Sequence, residues 1–153
     1  MLHRCHYRAP CTWLMLDFDT GGALQAVHWA GEEAAALPPL TGVWADKLDA
    51  YFSGSLKDFA YPPSSRGTVF QQKVWQAIAV IPYGQVASYG DLARLIGSAP
   101  RAVGQACGRN PLPIIIPCHR VVASQGLGGF SLGRQSDTLA IKRWLLQHEG
   151  VEL

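Results

Sequence analysis

Ser88-Tyr89-Gly90-Asp91-Leu92-Ala93-Arg94-Leu95-Ile96-Gly97-Ser98-Ala99-Pro100-Arg101-Ala102-Val103-Gly104-Gln105-Ala106-Cys107-Gly108-Arg109 is the stretch from which the architecture follows. Ser88 stands three residues before Asp91, a capping pattern for a short helix that carries Leu92, Leu95 and Ile96 up to Gly97. Pro100 then restarts a helix at Arg101, because proline near a first turn loses only a hydrogen bond that was already unpaired. Helix, short glycine-containing turn, helix is the helix-turn-helix pattern. The second helix is built from small residues with an arginine at each end. Ala102, Gly104 and Ala106 barely project, so its backbone approaches either a binding partner or another helix closely, and composition leaves both readings open.

Downstream, Ile114-Ile115-Ile116 and Val121-Val122 read as buried β segments flanking Pro117-Cys118-His119-Arg120, and Gly126 to Phe130 as a hairpin tip that forms a wing. A last helix is expected from about Asp137 to His148, ended by Gly150. Upstream, Phe70, Val74, Ala77, Ile78 and Ile81 share one helical face until Pro82-Tyr83-Gly84. Tyr61 to Gly67 is dense in turn formers, the natural linker, so a domain of residues 1–63 and another of 64–153 are expected. In the first, Thr12 to Phe18 and Leu24 to Trp29 form a hairpin through Gly21-Gly22, and Val43-Trp44, Leu48 and Tyr51-Phe52 a helix stopped by Ser53-Gly54. The expected fold is a small α/β N-terminal domain followed by a mostly helical winged helix-turn-helix domain.

With 48% apolar and 16% charged residues in 153, the chain has enough to bury a core, which excludes wholesale disorder. Its apolar runs fall far short of the ~20 residues that cross a bilayer. Met1-Leu2-His3-Arg4-Cys5-His6 meets charge before a signal peptide develops, so a cytoplasmic chain with no membrane partner is expected. Four cysteines are too sparse for a disulfide scaffold and read as reduced thiols. The net charge of +2 divides unevenly: four Lys and Arg stand against seven Asp and Glu in residues 1–63, leaving +5 for the remainder. That asymmetry points to a polyanion met by the C-terminal half.

A thiol is a useful nucleophile as its thiolate, and Cys118-His119 sets a base beside one in sequence. Adjacency alone is a weak signal: on an extended segment neighbours point to opposite faces, and a buried structural cysteine is the ordinary alternative.

The surroundings of that pair carry a resemblance. From Arg66-Gly67-Thr68-Val69-Phe70-Gln71 to His148-Glu149-Gly150, the chain strongly resembles the O6-alkylguanine-DNA alkyltransferases, the methylated-DNA–protein-cysteine methyltransferases. The match includes Ile81-Pro82-Tyr83-Gly84-Gln85, Ser88-Tyr89, Arg101-Ala102-Val103-Gly104, Asn110-Pro111 and Ile116-Pro117-Cys118-His119-Arg120-Val121-Val122. Leu48 to Gly54 also looks like the family's helix before the linker, while the rest of the first half is weakly diagnostic.

The resemblance implies a suicidal enzyme. Cys118 removes the alkyl group from O6 of a damaged guanine in one turnover, ending as S-alkylcysteine. Glu149, His119 and a bridging water form the proton relay, Tyr89 donates toward guanine N3, and Asn110 braces the turn before the active-site segment. Because O6 is out of reach inside a duplex, the nucleotide is flipped. The small-residue helix enters the minor groove with little sequence specificity, Arg101 filling the stack and Ala102, Gly104, Gln105 and Ala106 lying along the DNA. Pro113, Val121, Phe130 and Ser131 line the guanine pocket. Double-stranded DNA bearing O6-alkylguanine is the expected partner, a monomer the expected unit, and no cofactor is implied.

Departures from the family pattern are few. Phe130 stands where many members carry tyrosine. His3, Cys5, His6 and Cys11 are zinc-ligand types, but their spacing does not match the family's zinc pattern and adjacent Cys5-His6 is an awkward tetrahedral pair, so no metal is expected. The competing readings are a winged-helix protein that binds DNA without alkyl transfer, and a thiol hydrolase using Cys118, His119 and Glu149.

Overall fold

The computed structural model describes residues 3–61, 66–127 and 135–153. They fall into two compact units, Met1–Phe59 and Ala60–Leu153.

In the first unit, strands β1 (His3–Arg8), β2 (Trp13–Phe18) and β3 (Leu24–Ala30) form an antiparallel sheet in that order. The β2–β3 turn is built by Asp19, whose Oδ1 accepts from Gly21 N and Ala23 N at 2.9 Å each, with Gly22 at φ 85° where only glycine sits without strain. β1 escapes the sequence reading because its residues are mostly polar. What places it is register: Arg4 lies opposite Asp17 and donates to it from Nε at 2.6 Å and Nη2 at 2.9 Å, with His28 of β3 on the same carboxylate at 2.9 Å. Helix α1 (Val43–Ser53) follows, ended by Gly54 at φ 91°, and buries Leu48 and Tyr51. Tyr51 packs against Phe59, ring centres 5.4 Å apart, closing a small aromatic core.

The second unit is mainly helical. Helix α2 (Val69–Ala79) opens on a capping box, Thr68 and Gln71 each bonding the other's backbone N–H, and buries Val74, Trp75 and Ile78. A two-residue strand, β4 (Ala87–Ser88), leads into α3 (Tyr89–Ile96), again capped reciprocally, by Ser88 and Asp91, and terminated by Gly97 at φ 72°. Helix α4 (Pro100–Gly108) begins on proline, as the sequence predicts. Helices α3 and α4 thus sit either side of a short turn, the expected helix-turn-helix. The last helix, α5, spans Gln135–His148, starting slightly before the expected residue.

The Ile114-Ile115-Ile116 run is not a strand. It is a turn, fully buried, with Ile114 at φ 74°. A continuous apolar run fits a buried turn as well as a buried strand, and the prolines at 111, 113 and 117 deny it a regular ladder. A left-handed β-branched residue is strained, and Asn110 holds it: its Nδ2 donates to Ile116 O at 2.8 Å while its Oδ1 accepts from Leu112 N at 2.9 Å. The next residues, Cys118–Arg120, form a single 3-10 turn, after which β5 (Val121–Val122) pairs in parallel with β4, Ala87 opposite Val121 and Ser88 opposite Val122. This short pairing brings the start of α3, and so Tyr89, beside the Cys118 turn. The tip of the expected wing lies outside the described residues.

Candidate active site

Cys118 is buried at the first position of the 3-10 turn, its N–H bonded to Ile116 O at 2.8 Å. The turn replaces the extended segment that the sequence suggested, and it buries Cys118, His119 and Arg120 in succession. Glu149, one residue beyond α5, meets them. Its Oε2 lies 2.8 Å from His119 Nε2, and Arg120 donates to both carboxylate oxygens, from Nε at 2.8 Å and Nη2 at 3.0 Å. Arg120 Nη1 also donates to Ile81 O at 2.7 Å, tying the turn after α2 to the same cluster. A carboxylate just past a helix C-terminus faces the unfavourable end of the dipole, and here the Arg120 guanidinium supplies the compensating charge.

A carboxylate accepts only, so His119 Nε2 carries the proton and donates it to Glu149, leaving a lone pair on Nδ1. Nδ1 is buried with no hydrogen-bond partner in the protein. Burial pulls the His119 pKa below its ordinary value, outweighing the attraction of Glu149, so the ring is neutral and basic at Nδ1. Burial likewise pushes the Cys118 thiol up to about 11, opposed by a hydrogen bond from the Asn110 side chain and by the charge of Lys142. Tyr89 is raised as well, by burial and then by the Cys107 and Cys118 charges, and is a neutral phenol able to donate.

Helix α4 presents a different surface. Arg101 and Gln105 are exposed, Ala102 and Gly104 half-buried, and Ala106 buried with its carbonyl accepting from Trp75 Nε1 at 2.9 Å. A cavity of about 980 Å³ runs along this helix between Arg101 and Arg109 and the Thr68-Phe70-Gln71 start of α2. Ala106 therefore forms part of its floor rather than a projecting contact. A Cβ on Gly104 would lie 3.9 Å from Tyr89 Cε1, so the small residues serve packing on α3 as well as the open groove. Pro113 and Val121 are buried beside the Cys118 turn, whereas Phe130 and Ser131 lie outside the described residues.

Two residues escaped the sequence reading. Lys142 is fully buried and donates to Val121 O at 2.7 Å. Its signal was available: Thr138, Ile141, Lys142 and Leu145 share one face of α5 at three- and four-residue spacing, and a lysine there breaks an apolar stripe. Gly84, at φ 80°, leaves room where a Cβ would stand 3.2 Å from Glu149 O. Among the described residues no group of three or more His, Cys, Asp or Glu is placed to hold a metal ion. None of their helices is long and apolar enough to cross a membrane.

A buried thiol, a neutral histidine locked on a glutamate and a helix-turn-helix carrying basic residues define a thiol-nucleophile protein built on a DNA-binding scaffold. Residues 69–151 match the family model of the 6-O-methylguanine DNA methyltransferase DNA binding domain, and the chain belongs to that family. It is 42% identical over 109 residues to the methylated-DNA–protein-cysteine methyltransferase of Archaeoglobus fulgidus, covering 71% of this chain and 74% of that one. The Mycobacterium leprae protein of the same name is 50% identical over 93 residues, 58% of this chain and 56% of its own length. The fold is similar to the crystal structure of the Mycobacterium tuberculosis relative in complex with DNA, with TM-score 0.78 and 36% identity over 97% of this chain and 93% of that one.

Proposed function

We propose that this protein repairs O6-alkylguanine in double-stranded DNA by transferring the alkyl group irreversibly to its own Cys118, one group per molecule. The observation that carries this reading is the buried Cys118–Arg120 turn, in which His119 is locked on Glu149 at 2.8 Å. The Cys118 proton passes, by way of a water, to the lone pair of His119 Nδ1, and Glu149 stabilises the imidazolium that results. The thiolate attacks the alkyl carbon in line. A sulfur–carbon bond forms, the carbon–O6 bond breaks, and its electron pair moves into the guanine ring. Tyr89 donates toward N3 as that charge develops, an interaction strongest in the transition state. Nothing in the cycle cleaves the new thioether, so the protein is consumed.

Asn110 keeps Cys118 at the end of the strained turn, and Pro113, Val121, Phe130 and Ser131 surround the flipped base. Arg101 fills the gap in the stack. Ala102, Gly104 and Gln105 face the minor groove, a narrow site that suits a helix with short side chains, and Ala106 backs them from the floor of the cavity. All the residues assigned roles lie in the second unit, so a monomer suffices. A free thiol suits the reducing cytoplasm. Incubation with a duplex containing one O6-methylguanine tests the reading: the intact mass gains one methylene per protein and then stops. No gain identifies a binder, and free product beyond stoichiometry a hydrolase.

A further inference from the structure

Tyr83, half-buried in the turn after α2, reaches both partners of the Arg120–Glu149 ion pair. The Arg120 guanidinium carbon lies over its ring, 5.7 Å from the centre, and its hydroxyl donates to His148 O at 3.4 Å. The backbone bonds that close α5 take up the carbonyls of Leu145, Leu146 and Gln147, from Glu149 N, Val151 N and Gly150 N. His148 O is the next carbonyl at the helix end, and the phenol meets it. That oxygen belongs to the planar peptide joining His148 to Glu149, so holding it sets the direction in which the Glu149 side chain leaves the backbone.

We propose that Tyr83 is a positioning residue for alkyl transfer: packing on Arg120 with its ring and anchoring the His148–Glu149 peptide with its hydroxyl, it holds the Glu149 carboxylate in the one orientation that serves Arg120 and His119 together. This rests on the alkyl-transfer reading. Tyr83 keeps its own proton throughout and acts through Glu149. The effect is felt at His119, whose Nε2–H stays on the carboxylate while the lone pair stays on Nδ1.

The charged groups that meet here come from two elements and the residue beyond one of them: Arg120 from the Cys118–Arg120 turn, Lys142 from α5, and Glu149 just past its end. Glu149 and Arg120 act on the Tyr83 phenol, and those two with Lys142 act on His119. Burial, and then the Glu149 charge, push the phenol above its ordinary value, so Tyr83 is a neutral donor at pH 7. Two substitutions separate its parts. Phenylalanine keeps the ring on Arg120 and loses the anchor on His148 O, whereas leucine loses both.

Two measurements on the full chain test it. The first is NMR of histidine ring nitrogens in isotopically labelled protein, with His119 assigned by the signals lost in His119→Gln. In the wild type Nε2 should be protonated and Nδ1 bare. In Tyr83→Phe both signals should move toward the averaged positions of two exchanging tautomers, and further in Tyr83→Leu. The second is single-turnover transfer from O6-methylguanine duplex. Its saturating rate should fall about threefold in Tyr83→Phe and about tenfold in Tyr83→Leu, with the half-saturating DNA concentration unchanged. A purely structural role would lower the urea midpoint and leave the His119 signals in place. Unmoved ring signals or an unchanged rate in Tyr83→Phe overturns the proposal, and this variant, which loses one hydrogen bond, decides alone where Tyr83→Leu does not fold. Absence of transfer by the wild type would defeat the functional reading instead, while the ring signals still decide whether Tyr83 holds Glu149 in place.

Discussion

His119 Nε2 lies 2.8 Å from Glu149 Oε2, with both side chains wholly shielded from solvent. This contact selects the tautomer: it fixes the proton on Nε2 and leaves the lone pair on Nδ1. Because Arg120 shares the carboxylate, the negative charge performs two tasks, orienting the histidine and neutralising a buried cation.

Glu149→Gln separates these tasks. Glutamine retains an acceptor for Nε2–H but leaves Arg120 buried without its counter-charge, which costs about 3 kcal/mol or more. Urea unfolding should show that loss. Single-turnover transfer should slow by about a hundredfold, because the imidazolium formed on taking the thiol proton is no longer stabilised. An unchanged rate would remove Glu149 from the relay.

Gly84→Ala reaches Glu149 at its main-chain carbonyl instead of its carboxylate. The substitution places a Cβ in a left-handed conformation 3.2 Å from Glu149 O, so either the turn or the end of α5 must shift. Stability should drop by about 1–2 kcal/mol and transfer should slow several-fold, with DNA affinity unaltered since the groove along α4 is untouched. Equal loss of affinity and rate would show that the turn contributes to DNA binding instead.

Stability against pH isolates Lys142. Its folded pKa is depressed to about 8 from an ordinary 10.5, so between those values the unfolded chain holds more protons and stability rises with pH. Cys118, raised to about 11 from 9.0, acts in the opposite direction above pH 9. From pH 8 to 9 the wild type should therefore gain about 1 kcal/mol relative to Lys142→Met. Parallel curves in that window would place the ammonium in contact with water.

Arg101→Ala tests how DNA is held. The second domain has an excess of only +5, and Arg120 and Lys142 are buried, so few cations remain for phosphates. The slope of log K against log salt should be roughly −2 to −5 and hardly change in the variant, whereas repair of duplex should slow far more than reaction with the free base. A slope flattened by about one unit, with both substrates slowed equally, would make Arg101 a phosphate clamp.

Local signals in the sequence were sufficient wherever a short-range device built the element. Thr68 with Gln71, Ser88 with Asp91, Pro100 and Gly54 all act within one turn of where they stand, and α1 to α4 follow from them. Long-range pairing was not legible. β1 depends on Arg4 finding Asp17, and the Ile114 turn on Asn110 reaching Ile116. The site divides in the same way. Cys118, His119 and Glu149 were found through motif resemblance, while the partner that neutralises Glu149, and the lysine inside the apolar stripe of α5, required the tertiary structure.

The most direct test of the central claim is the location of the transferred methyl. Wild-type protein and Cys118→Ala are each incubated with duplex containing isotopically labelled O6-methylguanine, and the peptides are mapped by mass. All label should lie on Cys118 in the wild type, and the variant should carry none while still binding the duplex. Label on Cys5, Cys11 or Cys107 in the variant, at a rate near that of the wild type, would contradict the assignment of Cys118 as the nucleophile.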